Sequence, residues 1–117
     1  MSWYVLVEAN ESYGGSNEWE LVERISVEDG REAALARAEE MSRTYAARLF
    51  DREEYGRFVF RTSPTSWLVE QTRSVWYEGS SSPSTISGHM RIYVAELVMT
   101  RELVPADPPK KKGWLRR

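Results

Sequence analysis

Cysteine is missing from the 117-residue chain, and histidine occurs only once. Without cysteine there can be no disulfide, no thiolate zinc site, no iron–sulfur cluster and no cysteine nucleophile. Small secreted domains often depend on disulfides, so this absence favours a reducing compartment, and we expect the protein to be cytoplasmic.

Long apolar runs are missing as well. The first one ends after five residues, at Glu8, and no basic residue precedes it, so the sequence predicts no signal peptide. No segment approaches the roughly 20 apolar residues that span a bilayer, and we expect no transmembrane segment. A content of 41% hydrophobic and 29% charged residues is instead typical of a globular domain.

Lysine is absent from residues 1–109, and the net charge is unevenly distributed along the chain. Residues 107–117 contain five cations and one acid, which leaves a charge of −6 on residues 1–106 out of a total of −2. An acidic body repels nucleic acid and anionic lipid unless a local basic cluster intervenes. We therefore divide the chain into a single domain, residues 1–105, and a basic tail, residues 106–117, which we expect to be flexible.

Five segments have the composition and alternation of β-strands. Residues 3–9 and 89–104 are apolar on both faces, which predicts strands in the interior of a sheet. Residues 18–25 carry several charges, which favours an edge strand. Residues 57–62 and 66–72 are separated by a tight Ser-Pro-Thr connection, and the second of them is open to extension as far as Tyr77. We interpret the Ser/Gly/Pro-rich residues 79–88 as a mobile loop.

One segment has helical periodicity. Five apolar residues spaced three or four apart share one helix face: Ala34, Ala38, Met41, Tyr45 and Leu49. Ser26 to Asp29 has the spacing of a capping box, in which the serine side chain accepts a hydrogen bond from the third helical amide. Together these features predict a helix over residues 27–50.

The order of these elements is ββαβββ, and one arrangement satisfies their patterns. The first and fifth strands, apolar on both sides, lie side by side at the centre, which gives the order 2-1-5-4-3 with every neighbour antiparallel. We therefore predict an α+β domain in which a single long helix packs on a curved antiparallel five-stranded sheet. This arrangement resembles cystatin-like folds in architecture alone, and architecture does not imply function.

The tryptophans indicate a binding surface. Trp3, Trp19, Trp67 and Trp76 all lie in predicted strands. One helix can cover only one face of such a sheet, and several strands offer apolar side chains to both faces. We therefore expect a second, aromatic face that needs a cover. A two-fold homodimer is the commonest cover, and another protein or a small apolar ligand are the alternatives.

The tail combines an indole with a run of cations. Its candidate partner-binding residues are Lys110, Lys111, Lys112, Trp114, Arg116 and Arg117. Such a segment could bind an anionic membrane surface or nucleic-acid phosphates weakly, dock Trp114 into a partner's pocket, or only keep the protein in solution. The sequence leaves these alternatives open.

Groups suited to catalysis are few. His89 follows a glycine at the start of a predicted strand, and we interpret it as a surface residue rather than a general base. The serine-rich loop lacks the Gly-Lys-Ser/Thr ending of a phosphate-binding P-loop. Arg57, Arg61 and Arg91 are expected to pair with surface glutamates. We therefore predict no catalytic residue, no cofactor and no metal site.

These observations favour a non-catalytic protein-interaction or regulatory module that acts through an aromatic sheet face, such as an adaptor or an immunity-type protein. The alternative is a small-molecule-binding protein or an enzyme with a pocket between helix and sheet. A third hypothesis is weak binding of nucleic acid or of an anionic surface by the basic tail.

Overall fold

A computed structural model describes residues 2–10, 18–46 and 55–109. These residues form β1 (Ser2–Asn10), β2 (Glu20–Val27), α1 (Arg31–Thr44), β3 (Gly56–Ser63), β4 (Ser66–Val75) and β5 (Ser84–Leu97). The order ββαβββ confirms the predicted α+β class, with one helix on a five-stranded antiparallel sheet.

The strand order is β2-β1-β5-β4-β3, with every neighbour antiparallel, as the sequence predicts. β1 and β5 lie at the centre, where each pairs with a strand on both sides and contributes buried side chains to the core. Val5 lies opposite Val94 and Val7 opposite Ile92 in the ladder that joins them. This central pair sets the two faces of the whole sheet.

The hydrophobic core lies between α1 and one face of the sheet. Eight sheet residues and three helix residues are no more than 9% exposed: Val5, Val7, Ala9, Trp67, Val69, Met90, Ile92, Val94, Ala34, Ala38 and Met41. The two alanines let the helix backbone approach the larger sheet side chains. Each fully buried valine, isoleucine or methionine contributes about 1.5–3 kcal/mol relative to an exposed position.

The start of the helix differs from the prediction. The helix begins at Arg31, with Gly30 as its N-cap, and Ser26 lies in β2 opposite Tyr4. The capping box at Ser26–Asp29 is therefore wrong. Pairing with β1 satisfies the backbone of residues 26 and 27, so the chain continues as a strand to Val27. Gly30 then turns the chain with φ of 99°, a conformation that favours glycine.

The helix ends at Thr44, earlier than predicted. Tyr45 has extended backbone angles, and its amide donates to the carbonyl of Met41 over 2.8 Å. Arg57 of β3 donates to the carbonyl of Ser42 over 2.7 Å and also to that of Tyr45. A cation thus occupies the negative end of the helix dipole and satisfies carbonyls that have no helical partner. The remainder of the predicted helix, residues 47–50 with Leu49, lies outside the described residues.

The last strand is displaced toward the N-terminus from the predicted 89–104. β5 begins at Ser84, so residues 84–88 belong to a strand rather than to the predicted loop. These residues pair with the end of β4, which continues to Val75 opposite Ser84. At the other end, β1 pairs with β5 only as far as Ser2 opposite Leu97. Because no described strand lies beside residues 98–104, they do not continue the ladder.

We expect Arg57→Ala to lower the free energy of unfolding by about 1.5–3 kcal/mol, because it removes charge-assisted hydrogen bonds from the end of α1. Urea unfolding measures this change. Arg37→Ala is the matched control, since Arg37 is exposed on α1. This variant should lower the free energy of unfolding by about 0.5 kcal/mol or less. Equal losses in the two variants would show that Arg57 does not stabilise the helix end.

Candidate functional site

The sheet face that α1 leaves uncovered is called the open face. Strand alternation and register place ten of its side chains on the four strands β1, β3, β4 and β5: Tyr4, Leu6, Glu8, Phe58, Phe60, Leu68, Glu70, His89, Arg91 and Tyr93. Apolar and charged side chains therefore share this face. It is not the continuous aromatic surface that the sequence suggests.

The four tryptophans of the body are divided between the two sides of the sheet. Trp67 is 5% exposed within the core, and Trp3 packs against the same core. Trp76 follows β4 and is 64% exposed. Trp19 lies under the guanidinium of Arg91, 3.8 Å from its ring centroid to Cζ. The predicted tail residues Lys110, Lys111, Lys112, Trp114, Arg116 and Arg117 lie outside the described residues.

The charged groups at the centre of the open face are paired with one another. Arg91 Nη1 lies 3.2 Å from Glu8 Oε1, and the Tyr93 hydroxyl donates to Glu8 Oε2 over 2.8 Å. His89 Nε2 lies 3.4 Å from Glu70 Oε2. Arg91 thus pairs with a glutamate, as the sequence predicts. For Arg57 and Arg61 the same prediction is wrong, because both donate to backbone carbonyls instead. Paired charges of this kind can be covered by another surface at a lower desolvation cost than single ones.

The tyrosine of this network has a perturbed acidity. Burial and then the hydrogen bond to Glu8 raise the pKa of Tyr93 above its ordinary value, because both favour the neutral phenol over the phenolate. Tyr45 shows the same direction: burial first, and then the charge of Glu23, raise its pKa. Both phenols are therefore protonated hydrogen-bond donors near neutral pH, and the arrangement positions side chains instead of supplying a base.

Phenylalanines cover the open side of the outer strand β3. Phe58 and Phe60 stack with their ring centroids 6.3 Å apart and are 56% and 50% exposed. Leu68 of β4 lies opposite Phe60 and extends the apolar surface inward. We call Phe58, Phe60 and Leu68 the aromatic edge. None of the three is among the predicted partner-binding residues, although the alternation of β3 could have indicated both rings.

Residues 98–104, which we call the arm, extend from the end of β5. Its apolar side chains are largely uncovered: Val98 is 89%, Met99 68%, Leu103 90% and Val104 83% exposed. Within the described part of the chain, no backbone group of the arm is hydrogen-bonded to another residue. Apolar side chains and free amides together are typical of a segment that pairs with something else.

A cleft separates the start of the arm from the open face at β1 and β2. This arm cleft has a volume of about 710 Å³ and is lined mainly by apolar side chains, including Tyr4, Leu6, Leu21 and Leu97. Arg24 and Arg101 also line it, and neither makes a hydrogen bond or ion pair with another described residue. The volume falls within the roughly 300–1,000 Å³ of ordinary binding sites.

The described residues contain neither a cluster of metal ligands nor a helix that could cross a membrane. No cluster of three or more histidine, aspartate or glutamate side chains there is arranged to hold a metal ion. The single described helix is too short and too polar to cross a bilayer. Between α1 and the sheet, where the sequence allows a ligand pocket, side chains such as Val5, Val7 and Ala38 have no exposed surface.

We expect the protein to lose stability as the pH rises above about 10. The raised pKa of Tyr93 means that its contribution is complete below the unfolded-state pKa and is lost as the pH passes the folded-state value. Tyr93→Phe should lower the free energy of unfolding by about 1 kcal/mol at pH 8, and this free energy should then fall less steeply as the pH rises. Urea unfolding between roughly pH 8 and pH 11 measures both. Tyr77→Phe, at an exposed position, should leave the profile unchanged, and an identical profile for Tyr93→Phe would contradict the assignment.

Comparison with known proteins adds no family to these observations: no protein-family model, no curated protein and no solved structure matches this chain.

Proposed function

We propose that this protein is a non-catalytic protein-interaction module whose partners are an extended segment of another protein and a second copy of the chain. The proposal includes a cytoplasmic setting, because the chain has no cysteine with which to form disulfides. The observation that carries it is the arm: an uncovered apolar segment beside an open cleft. The partner segment of another protein binds in the arm cleft.

The apolar surface of the arm cleft supports a partner with apolar side chains. Val98 and Met99 on one side and Leu21 on the other are all more than half exposed. Covering apolar surface yields about 25 cal/mol for each Å² removed from water. A segment that inserts between the arm and the open face covers both sides at once.

The two arginines support an acidic partner. Arg24 lies on β2 opposite Leu6, and Arg101 lies in the arm, so guanidinium groups border the cleft from two sides. Only one carboxylate, that of Glu96, lies among the residues lining the cleft. A guanidinium binds a carboxylate through two parallel hydrogen bonds, which gives orientation as well as affinity. The basic residues 110–117 follow in the sequence and favour the approach of an acidic partner.

The backbone of the arm supports an extended partner. A strand whose amides and carbonyls are unpaired can accept another strand, and alternate side chains then point to opposite sides. A segment that alternates apolar and acidic residues would place its apolar side chains toward the open face and its carboxylates toward the cleft margin. The partner class is therefore an extended acidic–apolar peptide segment.

We expect a labelled nine-residue peptide that alternates valine and glutamate to bind the full-length protein, and the same peptide with lysine in place of glutamate not to bind. Arg24→Gln and Arg101→Gln should each weaken binding about twofold to fivefold, since each removes one exposed ion pair. Fluorescence polarisation measures the affinities, and added salt should lower them further.

Arg37→Gln is the matched control for these two variants. It removes the same charge from an exposed position on α1, away from the cleft, and should leave the affinity unchanged. Equal binding of the acidic and basic peptides would contradict the proposal. So would a loss in Arg37→Gln as large as that in the cleft variants.

A further inference from the structure

The two edges of the sheet are built differently. β2, at one edge, carries charges at Glu20, Glu23 and Arg24, and its pairing with β1 is interrupted by a bulge between Val7 and Glu8. Charges and bulges are the usual means by which edge strands avoid pairing with other chains. This edge is protected against strand addition.

β3, at the other edge, carries neither protection along its centre. Phe58, Val59 and Phe60 follow one another there, are 56%, 38% and 50% exposed, and pair with β4 in unbroken register. The irregularity in this pairing lies only at the end, between Arg61 and Ser63. No described element pairs with the outer side of β3. Among the described residues, its outward amides and carbonyls therefore have no strand partner.

We propose that β3 pairs antiparallel with β3 of a second copy, centred on Val59, so that two sheets join into one of ten strands. The inference rests on the proposed interaction function and gives the self-association a defined surface. It is separate from the arm cleft, which lies at the opposite edge of the sheet. Each site can therefore fail without the other.

Symmetry restricts the register of such a pair. When two identical antiparallel strands are related by a two-fold axis normal to the sheet, one residue must lie opposite its own copy. When Val59 lies on the axis, Phe58 of each copy lies opposite Phe60 of the other copy. All three central rows are then apolar, and four phenylalanine rings gather on the open face. Moving the axis to Phe58 or Phe60 puts Val59 opposite an arginine.

The register centred on Val59 also places Arg57 opposite Arg61 of the second copy, and both guanidinium groups already have partners in their own chain. Arg57 donates to carbonyls at the end of α1. Arg61 donates to the carbonyls of Ser63 and Pro64 and lies over the ring of Trp67, 5.6 Å from its centroid. These contacts hold the charges within each copy and reduce their repulsion across the pair.

The absence of cysteine makes the register directly testable. Residues directly opposite in an antiparallel pair have Cα atoms about 4.5–5.5 Å apart, within the range that a disulfide spans. Val59→Cys in the full-length chain should therefore form a disulfide-linked dimer under mild oxidation, visible on a non-reducing gel. Ser26→Cys, at an exposed position of the protected edge β2, is the matched control and should remain monomeric.

Mixed variants distinguish this register from its neighbours. Phe58→Cys and Phe60→Cys should each form little disulfide-linked dimer alone and should cross-link to each other when the two proteins are mixed, because those positions face one another across the axis. Strong cross-linking of either variant with itself would overturn the register centred on Val59.

Sedimentation of the cysteine-free protein gives a second measurement. We expect the apparent mass to rise toward twice 13.6 kDa between roughly 1 and 100 µM, since a single-strand interface is small and its affinity modest. Phe58→Lys should weaken association about tenfold or more while circular dichroism remains unchanged. A strict monomer over this range, with Val59→Cys cross-linking no faster than Ser26→Cys, would overturn the inference. The peptide affinity of the arm cleft is measured independently of this outcome.

Discussion

The pairing of β1 with β5 is the constraint on which the rest of the structure depends. It joins residues near the two ends of the domain, and its rows Val5–Val94 and Val7–Ile92 are almost fully buried under α1. Once these two strands are central, β2 and β4 can only add on either side, and β3 becomes the outer edge beyond β4. The helix-covered face, the open face and the direction in which the arm leaves the sheet all follow from this ladder.

The sequence predicts the fold well because that ladder depends on a local property, namely the largely apolar sequences of the two central strands. It predicts element ends poorly because ends depend on partners. Ser26 satisfies a capping-box pattern, yet its backbone pairs with Tyr4, and strand pairing prevails. The composition of residues 79–88 predicts a loop, yet Ser84 lies opposite Val75 and completes the ladder between β4 and β5. Neither pairing is visible from neighbours along the chain.

The candidate sites could be predicted only in part, for a related reason. Trp3 and Trp67 share alternation with Val5 and Val69, so their own strand pattern already places them on the helix-covered side. In β3, Val59 lies opposite the buried Val69, so its neighbours Phe58 and Phe60 lie on the open face. The arm has the sequence of a strand, but no strand among the described residues pairs with it. Its exposure depends on the absence of such a pairing, which the arm's own residues do not encode.

The two surfaces proposed for binding, on β3 and in the arm, lie outside the buried core cluster. At the centre of the open face, Glu8, Arg91 and Tyr93 satisfy one another, so that region is stable against water alone. Large exposed apolar side chains lie at the perimeter of the sheet, among them Phe58 and Phe60 on β3 and Val98 and Leu103 in the arm. Under the proposed function, a partner binds and leaves at either place while the β1–β5 ladder and the helix above it remain intact. The free energy of association is then separate from the free energy of folding, and this separation would allow a small domain to carry the two proposed interaction surfaces.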